Sequence, residues 1–180
     1  MKNSKHLLNL IYIAMFAAVI TICAQIQIPT AVPFTLQTLG VFAAGGLLGF
    51  KRGTLSVIIY VLLGLVGIPV FSGFKGGIGV LFGPTGGYII GFIFTAMVVG
   101  IAADKFGRKI WTLAIGMAAG LILCYAFGTV WFMIIYNAPT GGISLWEALM
   151  MCVIPYLPFD ALKIAAAAVL VNRLYKAVQL

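Results

Sequence analysis

Six long apolar runs, at about residues 7–28, 34–50, 54–71, 85–103, 110–136 and 158–174, constrain this chain more than any motif in it. Each approaches the length a helix needs to cross a hydrocarbon core of about 30 Å, at about 1.5 Å rise per residue. A segment inside lipid must satisfy its own backbone polar groups, which leaves helices as the natural reading of such runs. The sequence therefore predicts an all-α membrane protein: one integral domain over residues 1–180 with six transmembrane helices. Composition agrees, because only 8% of residues are charged and 63% are apolar, whereas soluble domains carry about a quarter charged residues.

Polar punctuation separates the runs: Pro29 and Pro33, then Lys51–Arg52–Gly53, a glycine-rich stretch, and Asp104 to Lys109. Asn137 to Gly142 closes the series. The charges give a direction. Lys2, Lys5, Lys51, Arg52, Lys105, Arg108, Lys109, Arg173 and Lys176 all fall on one side of a six-span arrangement. Lys75 alone falls in a loop on the other side, and Lys163 lies within a span. The positive-inside rule then predicts a multi-pass protein of the cell membrane with both termini cytoplasmic. The net charge of +8 is thereby explained without nucleic acid, since no basic face with interleaved aromatics exists to follow phosphates.

The first run is longer than the roughly 7–15 apolar residues of a secretory signal core, so it reads as a retained helix. Cys23, Cys124 and Cys152 are widely spaced in apolar surroundings and are expected to be small buried hydrophobes, not a disulfide framework or metal site. Residues 145–157, "LWEALMMCVIPYL", are too short to cross and are interrupted by Pro155, with Pro158 just beyond. They predict a short helix or re-entrant piece at the outer surface. Irregular backbone at that depth needs protein or a wet cavity around it, so the outer half should contain a cavity.

Three acids occur. Asp104, among lysines and an arginine, is expected to form a solvated local pair, and Glu147 to stay wet at the outer interface. Asp160 differs. It stands in the first turn of the last span, after Pro158, where the positive end of the helix dipole favours a carboxylate. Lys163 follows three residues later on the same face. Counting up from Arg173 at about 1.5 Å per residue puts Lys163 roughly 15 Å and Asp160 roughly 20 Å above the inner interface. Charges at that depth must face protein, water or a ligand. Two readings remain open for them, a mutual ion pair with no other role and an outward-open polar pocket.

The stretch "SGFKGGIGVLFGPTGGY", residues 72–88, holds seven glycines. Such backbone can approach a ligand closely and present N–H groups to it, or it can be a tight loop with no ligand. It is no P-loop, since no glycine–lysine–serine/threonine sequence occurs in the chain. "PTGG" occurs at 84–87 and again at 139–142, which suggests two similar turns. No histidine–acid metal motif or serine–histidine–acid set points to an enzyme. Trp111, Trp131 and Trp146 fall near predicted interfaces, as in an aromatic belt. On the first span, Ala14, Ala18 and Thr21, with Ala17 and Ala24 nearby, form a small-residue stripe. It can pack within the bundle or against another membrane helix.

Three segments then carry a family likeness. "PFTLQTLGV" (33–41), "GGIGVLFGPTGGY" (76–88) and "PYLPFDALKI" (155–164) together resemble the BioY family, the biotin-binding S-components of energy-coupling factor transporters. The likeness runs over nearly the whole chain. It implies biotin binding on the outer side and uptake together with a transmembrane coupling subunit and two ATPase subunits. ATP would be used by those partners only, with no cofactor or metal on this chain. The resemblance implies substrate-binding roles for Asp160, Lys163, Gln37 and Tyr88, and for Lys75, Gly76 and Gly77 in a glycine-rich lid or wall. It makes Ala14 and Ala18 the docking face for the coupling subunit. Another small vitamin or carboxylate on the same scaffold, or a self-sufficient secondary transporter, are the alternatives.

Overall fold

The computed structural model describes residues 2–29, 33–140 and 142–178, the side chains of 2–5, 137–140 and 178 excepted. Lys2 and Lys5, used above for orientation, lie outside the described side chains. The chain is helical almost throughout: α1 (Lys2–Gln25), α2 (Gln37–Leu65), α3 (Ile78–Leu81), α4 (Gly86–Phe106), α5 (Ile110–Thr140), α6 (Leu145–Cys152) and α7 (Leu157–Val178). Between α1 and α2, β1 (Gln27–Ile28) and β2 (Phe34–Thr35) pair antiparallel, with Gln27 opposite Thr35.

Five helical stretches are long and apolar enough to cross a membrane: His6–Gln25, Gln37–Leu65, Gly86–Phe106, Ile110–Tyr136 and Leu145–Ala177. The second contains two of the apolar runs. It is not one rod. Gly49 sits at φ 76 and ψ −173, inside the helix but far from helical geometry. Gln37 and Tyr60 share a hydrogen bond, although a straight helix would hold residues 23 apart roughly 34 Å from each other. The two arms of α2 therefore fold back on one another about Gly49.

Charged groups on neighbouring elements clasp this reversal. Asp104 at the end of α4 accepts the Phe50 N–H at 2.8 Å and pairs with Arg108 at 3.3 Å. It does more than the solvated local pair expected of it, because Phe50 opens a helical arm whose N–H groups need acceptors. Arg108 donates to the Gly46 carbonyl at 2.9 Å, its guanidinium lies 4.0 Å over the Tyr175 ring, and its own carbonyl accepts from Asn172 at 2.7 Å. Both open ends of the reversal are thus satisfied by the end of α4 and the loop after it, and α7 braces that loop.

Several run boundaries differ from hydropathy, and the helix expected from residue 34 begins only at Gln37 because Phe34–Thr35 forms β2. The first helix stops at Gln25 because the chain turns into β1. The helix expected to reach residue 71 stops at Leu65. There Gly67, at φ 99, and the Ile68 amide bond back to Gly64 and Leu63 in a glycine-terminated cap. Val66, Ile68, Val70 and Phe71 are as apolar as the helix before them, so hydropathy carries no sign of the stop. The "PTGG" copies also differ: the first begins α4, whereas Pro139 and Thr140 end α5 and residue 141 lies outside the described residues. Residues 145–157 form the short α6, a 3₁₀ turn (Ile154–Tyr156) and the start of α7. Ser144 and Glu147 cap α6 reciprocally, and Glu147 stays exposed.

The arms of α2 pack on α1, α4 and α7, and α5 joins α4 to α7. Phe42, Tyr60, Phe132 and Met117 are fully buried in this core. Helix contact is closest where a residue is small: a Cβ on Gly128 would lie 2.2 Å from the Tyr88 ring. Large side chains such as Ile22, Ile115, Ile122, Ile134 and Leu162 face outward, as lipid-facing positions do. Trp111 is 80% exposed and Trp146 is exposed too, fitting a belt. Trp131 departs from that expectation. It is half-buried and donates from its indole N–H to the Gly83 carbonyl at 3.0 Å, so it braces the glycine-rich stretch.

Candidate substrate-binding cavity

The irregular segments meet around a cavity of about 410 Å³, bounded by β2 and the starts of α2, α4 and α7, with the middle of α5 and the loop before α3. The first turn of α7 supplies its charges. Pro158 follows Leu157 at the head of that helix, so its missing N–H breaks no helical bond. Asp160 then lies one turn ahead of Lys163. Lys163 Nζ donates to Asp160 Oδ1 at 2.8 Å, and the two residues are only 4% and 6% exposed.

Both charges have further partners. Tyr125 on α5 donates its hydroxyl to Asp160 Oδ2, and Thr38 on α2 donates to Oδ1 at 3.4 Å. Lys163 Nζ lies 4.2 Å over the Phe34 ring, which packs edge-on against Phe159. A carboxylate offers about four acceptor positions and an ammonium three donors. The pair therefore keeps both an acceptor and a donor free for a ligand, inside a buried wall.

Gln37 and Tyr88 also line the cavity. The Gln37 amide oxygen accepts from Thr35 at 2.9 Å and its amide nitrogen donates to Tyr60, which fixes its rotamer. Tyr88 shares a 3.1 Å hydrogen bond with Thr129. Val80, Ile89, Phe92 and Leu121 supply apolar wall. Cys124 and Cys152 line it as well; both are buried and free, as expected, while Cys23 is only half-buried because it sits at the side of α1.

The glycine-rich stretch divides. Ser72, Lys75, Gly79 and Gly83 reach the cavity. Gly76 and Gly77 do not line it: a Cβ on Gly76 would lie 2.4 Å from the Ile68 carbonyl, and the Gly77 amide donates to the Gly64 carbonyl at 2.7 Å. Their bareness serves close packing of the loop on the end of α2. Lys75 is exposed at the cavity's rim and takes part in neither ion pair found among the described residues. It closes a tight turn in which Phe71 and Lys75 exchange backbone hydrogen bonds of 2.9 and 3.3 Å. Phe74 in that turn has φ 55, the one positive φ outside glycine among the described residues, a conformation that costs about 1–3 kcal/mol.

Ala14 and Ala18 lie well away from these groups on the exposed side of α1, between Ile11, Met15 and Ile22. Ala17 and Ala24 turn into the bundle instead. The stripe is thus split between two faces. Sequence reasoning did not find Tyr125, Thr38 or Phe34 as site residues. The last two stand inside "PFTLQTLGV", which was a usable signal; Tyr125 had none.

The chain is similar to known proteins over nearly its whole length. The BioY family model matches residues 1–180. The biotin transporter BioY of Thermotoga maritima is 45% identical over 169 residues, covering 93% of this chain and 96% of the relative. The biotin transporter BioY of Rhodobacter capsulatus is 37% identical, covering 87% of each chain. A crystal structure of the S-component for biotin from an ECF-type ABC transporter superposes with a TM-score of 0.87 at 33% identity, over 98% of this chain and 95% of that one. Matched from end to end and sharing the whole fold, this multi-pass membrane protein belongs to the BioY family.

Proposed function

We propose that the chain binds biotin in this cavity on the outer side of the membrane and takes it up together with an energy-coupling module. The observation that carries the reading is the buried Asp160–Lys163 pair with one acceptor and one donor to spare. A ureido group offers N–H donors beside a carbonyl acceptor and so complements both. A carboxylate offers acceptors alone and would stand against Asp160. The ureido end therefore belongs at the pair, the thiophane ring against Phe92, Ile89 and Leu121, and the carboxylate toward Lys75 at the rim. The site's net charge, one cation beyond a neutral pair, matches a monoanion. Gln37 and Tyr88 complete the polar wall.

The two arms of α2 make six crossings with α1, α4, α5 and α7. Lys51, Lys105, Lys109, Arg173 and Lys176 gather at one end, all exposed, which supports cytoplasmic termini and an outward cavity. Ala14 and Ala18 form the face for a transmembrane coupling subunit, and two ATPase subunits supply the energy, with no cofactor on this chain. Titration of the purified protein in detergent by calorimetry, without ATP or metal, should show saturable one-to-one biotin binding. No heat and no saturation from a folded, monodisperse sample would defeat the assignment.

A further inference from the structure

We propose that Gln25, the last residue of α1, is a positioning residue that holds Lys75 at the rim and so gives the cavity its preference for a carboxylate; this rests on the biotin reading above. Gln25 does not itself line the cavity. It acts on the turn that carries Lys75. Its amide nitrogen reaches the carbonyls of Val70 at 3.4 Å and Phe71 at 3.2 Å, and its amide oxygen accepts the Phe74 N–H at 2.9 Å. One side chain thus grips both strands of the turn closed by Phe71 and Lys75.

The grip falls where the turn needs it. Phe74 holds a left-handed conformation and is 73% exposed, so its side chain contributes little packing to fix that backbone. Gln27 adds a second hold by accepting from Ser72. Lys75 has no ion-pair partner among the described residues, since Asp160 and Asp104 are paired elsewhere and Glu147 caps α6. Its place at the rim depends on the backbone that carries it. Once that backbone is loose, the ammonium spends its time in solvent and the charge is lost to the ligand.

The test compares biotin with biotin methyl ester, which keeps the rings and removes the negative charge. Calorimetric dissociation constants are measured for the unaltered protein, Gln25→Leu, Lys75→Met and the double variant. An exposed charge contact is worth about fivefold in affinity, so the unaltered protein should prefer biotin by about that factor. Each single substitution should erase the preference, and the double should do no more than either, since both act on one contact. Gln25→Asn keeps the polarity but cannot span the turn, and should behave as Gln25→Leu does should that variant not fold. A preference that survives in these Gln25 variants, effects that multiply in the double, or no preference in the unaltered protein overturns the proposal. If the unaltered protein binds neither ligand, the biotin reading falls by itself. The grip is then decided by a nitroxide at Phe74→Cys: immobile with Gln25 and freed by Gln25→Leu supports it, and identical spectra overturn it.

Discussion

Asp160 is held from three helices at once, by Lys163 on its own, by Tyr125 on α5 and by Thr38 on α2. That convergence makes single substitutions at the pair ambiguous. Breaking a buried ion pair from one side costs about 3–5 kcal/mol, enough to abolish binding through folding alone. The double variant Asp160→Asn with Lys163→Met removes both charges while keeping shape. If the pair were only structural, it should bind biotin nearly as the unaltered protein does. If the pair is the site, it should elute as a monodisperse species and melt normally, yet show no binding by calorimetry, and that is the expected result. Tyr125→Phe asks less. It removes one hydrogen bond to a charged group, worth about 1.5 kcal/mol or more, and should raise the dissociation constant by about tenfold. Unchanged affinity would take Tyr125 out of the site. The pair itself was legible, because charge at that depth in an apolar run must have a partner. Tyr125 was not, because a tyrosine within "LCYAFG" looks like any aromatic in a span until α5 is seen packed on α7.

At the scale of elements, hydropathy delimits apolar length and is blind to backbone direction. It separated residues 34–50 from 54–71 only through Lys51–Arg52, and nothing in those residues says that the chain reverses without leaving its helix. The reversal belongs to Gly49, where a Cβ would lie 2.4 Å from Asp104 Oδ1 and the backbone is left-handed. Gly49→Ala should therefore cost about 2 kcal/mol, lowering the melting temperature in detergent by roughly 4–8 °C. A variant melting with the parent would show that the clasp of Asp104 and Arg108 shifts freely. The small-residue stripe on α1 was legible as a pattern but not as to which face each alanine takes, since that depends on where α2 sits. With Ala14 and Ala18 outward, Ala18→Trp can be accommodated without disturbing the core. It should leave biotin titration unchanged and abolish uptake in cells that carry the complete module. Normal uptake would remove this face from docking; joint loss of binding and folding would place it in the packing instead.

For the whole molecule, what matters is how far polar groups extend below the cavity. Among the described residues the buried polar side chains are Thr35, Gln37, Ser56, Thr95, Thr129, Asp160 and Lys163. Five of them line the cavity or bond to its wall. The other two are spent on backbone: Ser56 donates to the Arg52 carbonyl at 2.9 Å, and Thr95 to those of Gly91 and Gly120 at 3.1 and 3.0 Å. Toward the basic end the helices meet through apolar and small residues such as Val57, Ala96, Val99 and Val171. A monoanion leaving the cavity in that direction would shed its hydrogen bonds into a wall with nothing to offer in return, at several kcal/mol for each unsatisfied polar group. The sequence also contains no P-loop through which the chain could couple ATP to such a step. Vesicles containing this chain alone should accordingly hold biotin in proportion to the protein present and accumulate none beyond that, with or without enclosed ATP. Vesicles that also contain the proposed coupling subunit and ATPase subunits should accumulate it when ATP is supplied on the side of the basic loops. Accumulation by the chain alone, driven by an ion gradient, would instead make it a self-sufficient secondary transporter and would require a polar path through the Val57–Val99 layer.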